Sequence, residues 1–239
     1  MNDHKETLKK DGVCILKNAF THNDINILLN KFNNLLDKSK KILQDTVGKK
    51  VEYITYFDKE VVHEKILYED KNINILELNQ GRYDIYPKNN HIDLKENIKN
   101  LLSCFIKKNF IVNWGILTSN INSKNGDWHR DTLNLDGDSN EDGTYNDYHT
   151  VNMNPFYFTI LIPLVPLNKL NGSTEFIKGS HRLTFNNINN SEHIQFDTDL
   201  GDAIIFDGRI FHRGRENLSN KTRPIIYIIV HRDWYTESY

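Results

Sequence analysis

The chain reads as an α+β fold, and three observations carry that reading. Apolar residues recur at helical spacing only in roughly the first 110 residues. Beyond them come segments rich in β-branched and aromatic residues, bounded by Gly, Asn, Asp and Pro, which is strand composition. No internal repeat or Pro/Gly-rich linker interrupts the 239 residues, a length that suits one domain with a substantial core. The expectation is a single domain: a helical N-terminal part over about 1–110 and a β core over about 111–239. Strands so numerous pack as two antiparallel sheets, a jelly roll of the double-stranded β-helix kind.

The elements follow in order. Residues 13–17 predict a short strand. A helix starts at Thr21, a suitable N-cap with Asp24 three residues on. Ile25, Leu28, Leu29, Phe32, Leu35, Leu36, Ile42 and Leu43 then line one face. A second helix is expected from Asp93, with Glu96 at its third position, burying Ile98, Leu101, Leu102, Phe105 and Ile106. Residues 51–86 mix short strands and turns without a clear period. Strands are expected over Ile111–Ile121, Phe156–Val165, Ala203–Phe206 and Ile225–Val230.

Composition narrows the function classes. The formal net charge is −2, so nothing favours nucleic acid or an anionic membrane as a partner. No apolar run approaches the roughly 18 residues of a membrane span. The polar opening Asn2-Asp3-His4-Lys5-Glu6 is not a signal peptide, and Glu237-Ser238-Tyr239 is not a peroxisomal address. Cys14 and Cys104 sit in apolar settings and are expected to be buried thiols. The expectation is a cytoplasmic protein.

The chemistry concentrates in Trp128-His129-Arg130-Asp131 and the distant Phe211-His212-Arg213. In an extended chain, residues i and i+2 share a face, so His129 and Asp131 turn to one side. Joined by His212, they make a 2-His-1-carboxylate set, the facial triad of non-haem Fe(II) oxygenases, which leaves coordination positions open. Arg130, between the two, must face the other way. Arg223 lies eleven residues after His212, far enough to belong to the next strand, where its planar fork could grip a carboxylate.

These residues, in this order, make the chain resemble the phytanoyl-CoA dioxygenase-like family of Fe(II)- and 2-oxoglutarate-dependent oxygenases. Lys10-Asp11-Gly12-Val13-Cys14-Ile15-Leu16 is similar to the family's opening segment, and Asn171-Gly172 through Gly179-Ser180-His181 to its turn between the ligands. The resemblance closes with Gly201-Asp202-Ala203-Ile204-Ile205-Phe206, Asn217 and Arg223. It implies the jelly-roll fold and Fe(II) held by His129, Asp131 and His212. It also implies 2-oxoglutarate chelating the metal with its distal carboxylate on Arg223, and O2 at the remaining position. Thr159 is a further candidate to hydrogen-bond the co-substrate. The implied reaction is hydroxylation of a small molecule with release of succinate and CO2. A carboxylate at Asp131 favours this over halogenation, because related halogenases carry a small residue there. A catalytically silent metal-binding barrel and a hydroxylase of protein or nucleobase are the alternatives.

Rival motifs are weaker. His231-Arg232-Asp233 repeats the tripeptide but has no ligand after it, and it falls at the end of the last strand. Neither copy makes a kinase catalytic loop: Asp136 stands where the first would need Asn, and the sequence has neither a glycine-rich nucleotide loop nor a DFG. Asp138-x-Asn140-x-Asp142-Gly143 starts like a calcium loop, yet His149 occupies the glutamate position. Residues 133–150 are therefore expected to form a lid rooted beside Asp131. Gly172 and Gly179 fit a turn better than a phosphate cradle, and His181 fits a packing role. Arg130, Arg209, Arg213 and Arg215, with Trp114, Trp128, Tyr157 and Trp234, suggest a polar or anionic substrate.

Overall fold

A computed structural model describes residues 2–45, 52–53, 64–78, 81–88, 91–107, 110–132, 135, 147–184, 187–188 and 191–235. Most of the expected lid at 133–150, with the calcium-like string, lies outside them. The first element, α1 (Asn2–Asp11), was not anticipated, because its residues are nearly all polar. Leu8 alone is driven into the core, and Gly12 ends the helix in the left-handed conformation that glycine adopts freely. Strand β1 (Val13–Leu16) follows.

The second helix, α2 (His22–Asp45), begins as the sequence predicts. The Thr21 amide donates to Asp24 Oδ2 at 2.9 Å and the Asp24 amide donates back to Thr21 Oγ1 at 3.2 Å, a reciprocal cap. Its buried face is Ile25, Leu28, Phe32 and Leu35. The third helix, α3 (Glu96–Leu102), starts later than expected. Lys95 is its N-cap and makes no side-chain cap bond, so Asp93 does not cap it. Burial of Ile98, Leu101 and Leu102 holds this short helix in place instead.

The sheet is larger than the sequence suggests. Among the described residues, nine strands run in the order β1-β10-β7-β12-β6-β5-β4-β3-β2. The paired partners are β2 (Glu52–Tyr53), β3 (Glu64–Glu69), β4 (Ile73–Leu78), β5 (Arg82–Pro87), β6 (Phe110–Ser119), β7 (Tyr157–Pro163), β10 (Ala203–Asp207) and β12 (Arg223–Arg232). A second sheet of β11-β8-β9 comprises β8 (Thr174–Ile177), β9 (His193–Gln195) and β11 (His212–Gly214). The part expected to be helical thus supplies β2 to β5. In them Ile73, Ile75 and Ile85 are buried on the helix side, while Asn74, Arg82 and Asp84 lie on the other face.

Alternation sorts the two faces. Trp114, Ile116, Ile160, Ile162, Ile226 and Ile228 pack on the helix side with Ile25, Leu28 and Phe32. Leu161, Ile204, Phe206, Ile225 and Tyr227 face the other way, towards Phe176 of the small sheet. Trp114 and Tyr157 are core residues. Cys14 is buried as expected, its thiol pushed up to about 12 by burial, whereas Cys104 is exposed. Among the described residues, no helix is long and apolar enough to cross a membrane.

Candidate metal centre

His129, Asp131 and His212 come together, with one possible ligand atom from each lying within 4.8 Å of the others. His212 opens β11, whose register is Phe176 opposite His212. His129 and Asp131 do not sit on a regular strand. A single antiparallel bridge pairs His129 with His212, amide to carbonyl both ways at 3.1 and 3.0 Å. The Asp131 amide donates to Gly208 O at 2.8 Å. The extended stretch keeps the expected i, i+2 geometry without needing a whole strand.

Side-chain bonding aims the ligands. His129 Nδ1 lies 2.9 Å from Asp127 O and His212 Nδ1 lies 3.1 Å from Ile210 O. A carbonyl only accepts, so each Nδ1 carries the proton and each Nε2 keeps a lone pair for a metal. Asp131 Oδ1 stands 3.3 Å from His212 Nε2 and 3.7 Å from His129 Nε2. Its other oxygen accepts a short hydrogen bond from Thr159 Oγ1. Thr159, expected to hydrogen-bond the co-substrate, thus also orients the Asp131 carboxylate.

The three groups are electrostatically coupled. Surrounding protein and the neighbouring His212 hold the His129 imidazole down at about 4, although part of that ring is open to solvent. Burial opposes the charged forms of both Asp131 and His212, but their mutual attraction outweighs it: Asp131 is lowered and His212 raised. A divalent cation suits such a set, because one carboxylate and two neutral imidazole nitrogens offer their lone pairs to one point. Phe206 at 4.7 Å and Phe176 at 5.8 Å, centroid to centroid, pack on the His212 ring and keep that side dry.

Arg223 opens β12 opposite Ser119 of β6 and is buried. Its Nη2 donates to Ser119 Oγ at 2.8 Å, while its Nε and Nη1 are buried with no hydrogen-bond partner among the described residues. Burial, with the charge of Arg82 nearby, brings its guanidinium down to about 9. A buried cation is costly without an anionic partner, and none is seen among the described residues, so the fork could accept a carboxylate.

Arg82 is the functional residue that sequence reasoning missed. It lies across β6 from Arg223, with both opposite Ser119. Its guanidinium donates to Ser119 Oγ and to the backbone carbonyls of Gly214, Lys124 and Arg215 at 2.9 to 3.2 Å. One side chain thus links the Arg223 site, the strand that carries His212 and the segment leading to His129. A Cβ on Gly214 would lie 2.3 Å from Arg82 Nη1, so the glycine is needed for that approach. Nothing local in the sequence marks Arg82, since the partners are carbonyls of distant residues.

Other nominated residues have structural roles. Arg130 is paired with buried Asp147, donates to Leu183 O at 2.7 Å and lies over the Phe211 ring. Arg209 is buried against Asp207 at 2.6 Å. Arg213 and Arg215 both reach Glu175, and Arg213 lies over Trp128 at 4.4 Å. Trp234 is half exposed and tilts on Phe156. In the turn, Ser180 Oγ accepts the Phe211 amide at 2.8 Å, which fixes the chain just before His212. His181 is buried over Gly12, its pKa lowered by burial. His231 lies at the penultimate position of β12 and is not in the His129, Asp131 and His212 cluster.

The family model described as phytanoyl-CoA dioxygenase matches residues 8–225. Solved structures share the fold at low identity. One is the non-haem α-ketoglutarate-dependent epimerase SnoN from nogalamycin biosynthesis, at 10% identity and TM-score 0.62 over 97% of this chain and 82% of that one. A second is HygX from Streptomyces hygroscopicus with nickel, 2-oxoglutarate and hygromycin B bound. It is 11% identical at TM-score 0.62, over 99% of this chain and 89% of that one. The carbocyclase SnoK, also from nogalamycin biosynthesis, is 12% identical at TM-score 0.59, over 97% and 84%.

Proposed function

Since the chain belongs to the phytanoyl-CoA dioxygenase family, we propose that it is an Fe(II)- and 2-oxoglutarate-dependent dioxygenase that hydroxylates a small molecule. The observation that carries this reading is the pairing of a three-ligand cluster with a buried, anion-seeking Arg223. A metal-binding barrel without turnover has no use for the second feature.

Each residue has a task. His129 Nε2, His212 Nε2 and Asp131 would hold the iron. Thr159 fixes which Asp131 oxygen is presented. Arg223 Nε and Nη1 would take the distal carboxylate of 2-oxoglutarate, with Ser119 steadying the guanidinium and Arg82 adding positive potential. Phe176 and Phe206 exclude water beside His212. Bound iron supplies the oxidative chemistry that couples decarboxylation of 2-oxoglutarate to substrate oxidation, with succinate and CO2 as products.

Because the solved relatives include an epimerase and a carbocyclase, hydroxylation is the finer part of this proposal. Product mass decides it, one added oxygen being expected. The co-substrate assignment is tested at Arg223. Arg223→Lys leaves a point charge in place of the fork and should weaken 2-oxoglutarate binding by about 10²-fold in calorimetry. An unaltered Kd would give the carboxylate to another residue.

A further inference from the structure

The two histidine ligands are not held equally. The His212 side chain is 8% exposed and packs against Phe206 and Phe176, whereas the His129 side chain is 53% exposed. The backbone around His129 forms a single bridge and not a strand. It makes two hydrogen bonds with His212, one from the Gly126 amide to Gly214 O and one from the Asp131 amide to Gly208 O. With so few backbone bonds, side chains must set the pleat of this segment, and the pleat decides where the imidazole points.

The side chains that can do so lie on the outer face of the small sheet. His212 is opposite Phe176 on the inner face, so Arg213 and Glu175, the next opposed pair, face outward. Antiparallel register from the His129–His212 bridge puts Trp128 opposite Arg213 on that outer face. The contacts agree. The Arg213 guanidinium lies over the Trp128 ring at 4.4 Å and its Nε donates to Glu175 Oε2 at 2.8 Å. The His193 ring of β9 meets the indole at 5.1 Å and 71°. Glu175 is the hub: it also takes Arg215 Nη1 at 3.1 Å and stands 3.4 Å from His193 Nδ1. Its side chain is 13% exposed and that of Arg213 23%, so water screens this pair less than an ordinary surface pair. Contacts thus run from the residue beside His129 across β11 and β8 to β9.

Resting on the iron-dioxygenase reading above, we propose that Trp128, clamped by Arg213 on Glu175, is a positioning residue that aims the His129 imidazole into the metal site. Trp128 and His129 are joined by one planar peptide and face opposite ways. Fixing the indole on the outer face therefore fixes the direction of the imidazole on the inner one. Asp127 O sets the tilt of the ring through Nδ1, and Trp128 sets the pleat that carries it. An indole that served only to cover the small sheet would add stability and leave the ligand direction unchanged.

The test is Co(II) titration of the full chain, because the visible absorption of bound Co(II) reports ligand number and geometry. Circular dichroism and urea denaturation of the metal-free protein follow the fold separately. In Trp128→Ala, Co(II) should bind about tenfold more weakly, with an altered visible band. Trp128→Phe keeps a flat ring for the guanidinium and should recover most of the affinity and the wild-type band. Arg213→Met keeps the length without the charge and should weaken binding in the same direction by less. A folded Trp128→Ala with wild-type affinity and band would overturn the inference, whatever its stability. If Trp128→Ala does not fold, Arg213→Met decides: wild-type affinity and band in that variant refute the positioning role. A wild-type chain that takes up no Co(II) removes the metal-centre reading beneath, whereas uptake that is the same in wild type and variants refutes the clamp alone.

Discussion

Among single residues, Thr159 shows how much of the site depends on support one bond away from the ligands. Its hydroxyl fixes Asp131, and the backbone carbonyls of Asp127 and Ile210 fix the two imidazoles. Removing such partners typically costs about 10- to 100-fold in metal affinity. Thr159→Val, nearly the same shape without the hydroxyl, should therefore weaken Fe(II) binding by roughly that factor in a competition titration, with the fold unchanged. An unchanged affinity would mean that Asp131 is held by its backbone alone. The ligands and Arg223 were legible in the sequence because metal and carboxylate chemistry allows few residue types at those spacings. The bond from Thr159 to Asp131 was not legible, since alternation predicts a residue's face and not its neighbour. Arg82 was invisible, because what it holds is backbone.

For elements, legibility followed the purity of the hydrophobic pattern. α2 was readable because Ile25, Leu28, Phe32 and Leu35 repeat cleanly and Thr21 and Asp24 cap it. Strands β6, β7, β10 and β12 were readable from their β-branched runs. α1 and β3 to β5 were not: polar residues fill most of α1, and β3 to β5 are runs of only six residues with polar or charged residues between the few apolar ones. The α2 cap gives a stability prediction. Thr21→Ala should cost about 1 kcal/mol in chemical denaturation and leave metal affinity alone. The hydrogen bond from Lys95, followed by those from Thr21, lowers Asp24 to about 2 from an ordinary 3.8. A carboxyl depressed in the folded state stabilises above its unfolded value and loses that contribution as pH falls. The Thr21→Ala penalty should consequently shrink between about pH 4 and pH 2; a penalty constant with pH would detach the cap from Asp24's charge.

At the level of the whole molecule, buried charge as well as apolar packing holds the β10–β11 connection against α4 (Tyr148–Asn152). Arg209 forms a two-pronged pair with Asp207 at the end of β10, at 2.8 and 2.6 Å. It also donates to Thr150 O and Met153 O in and just after that helix. The adjacent Gly208 carbonyl accepts the Asp131 amide, so this pair underlies the metal segment. Breaking one side of a buried pair usually costs about 3–5 kcal/mol. Asp207→Asn should lower unfolding stability by that order and reduce iron occupancy with it; a loss below about 1 kcal/mol would place the pair outside the supporting frame.

The same frame brings His129 and His212 together from opposite ends of the β half, and the account's central claim is that they and Asp131 form one metal site. Anaerobic Fe(II) titration of the wild-type chain and His212→Ala, with circular dichroism to verify the fold, tests that claim most directly. One tightly bound Fe(II) per wild-type chain is expected, with loss of that binding in a folded His212→Ala variant. A folded variant that binds Fe(II) as the wild type does would contradict the account.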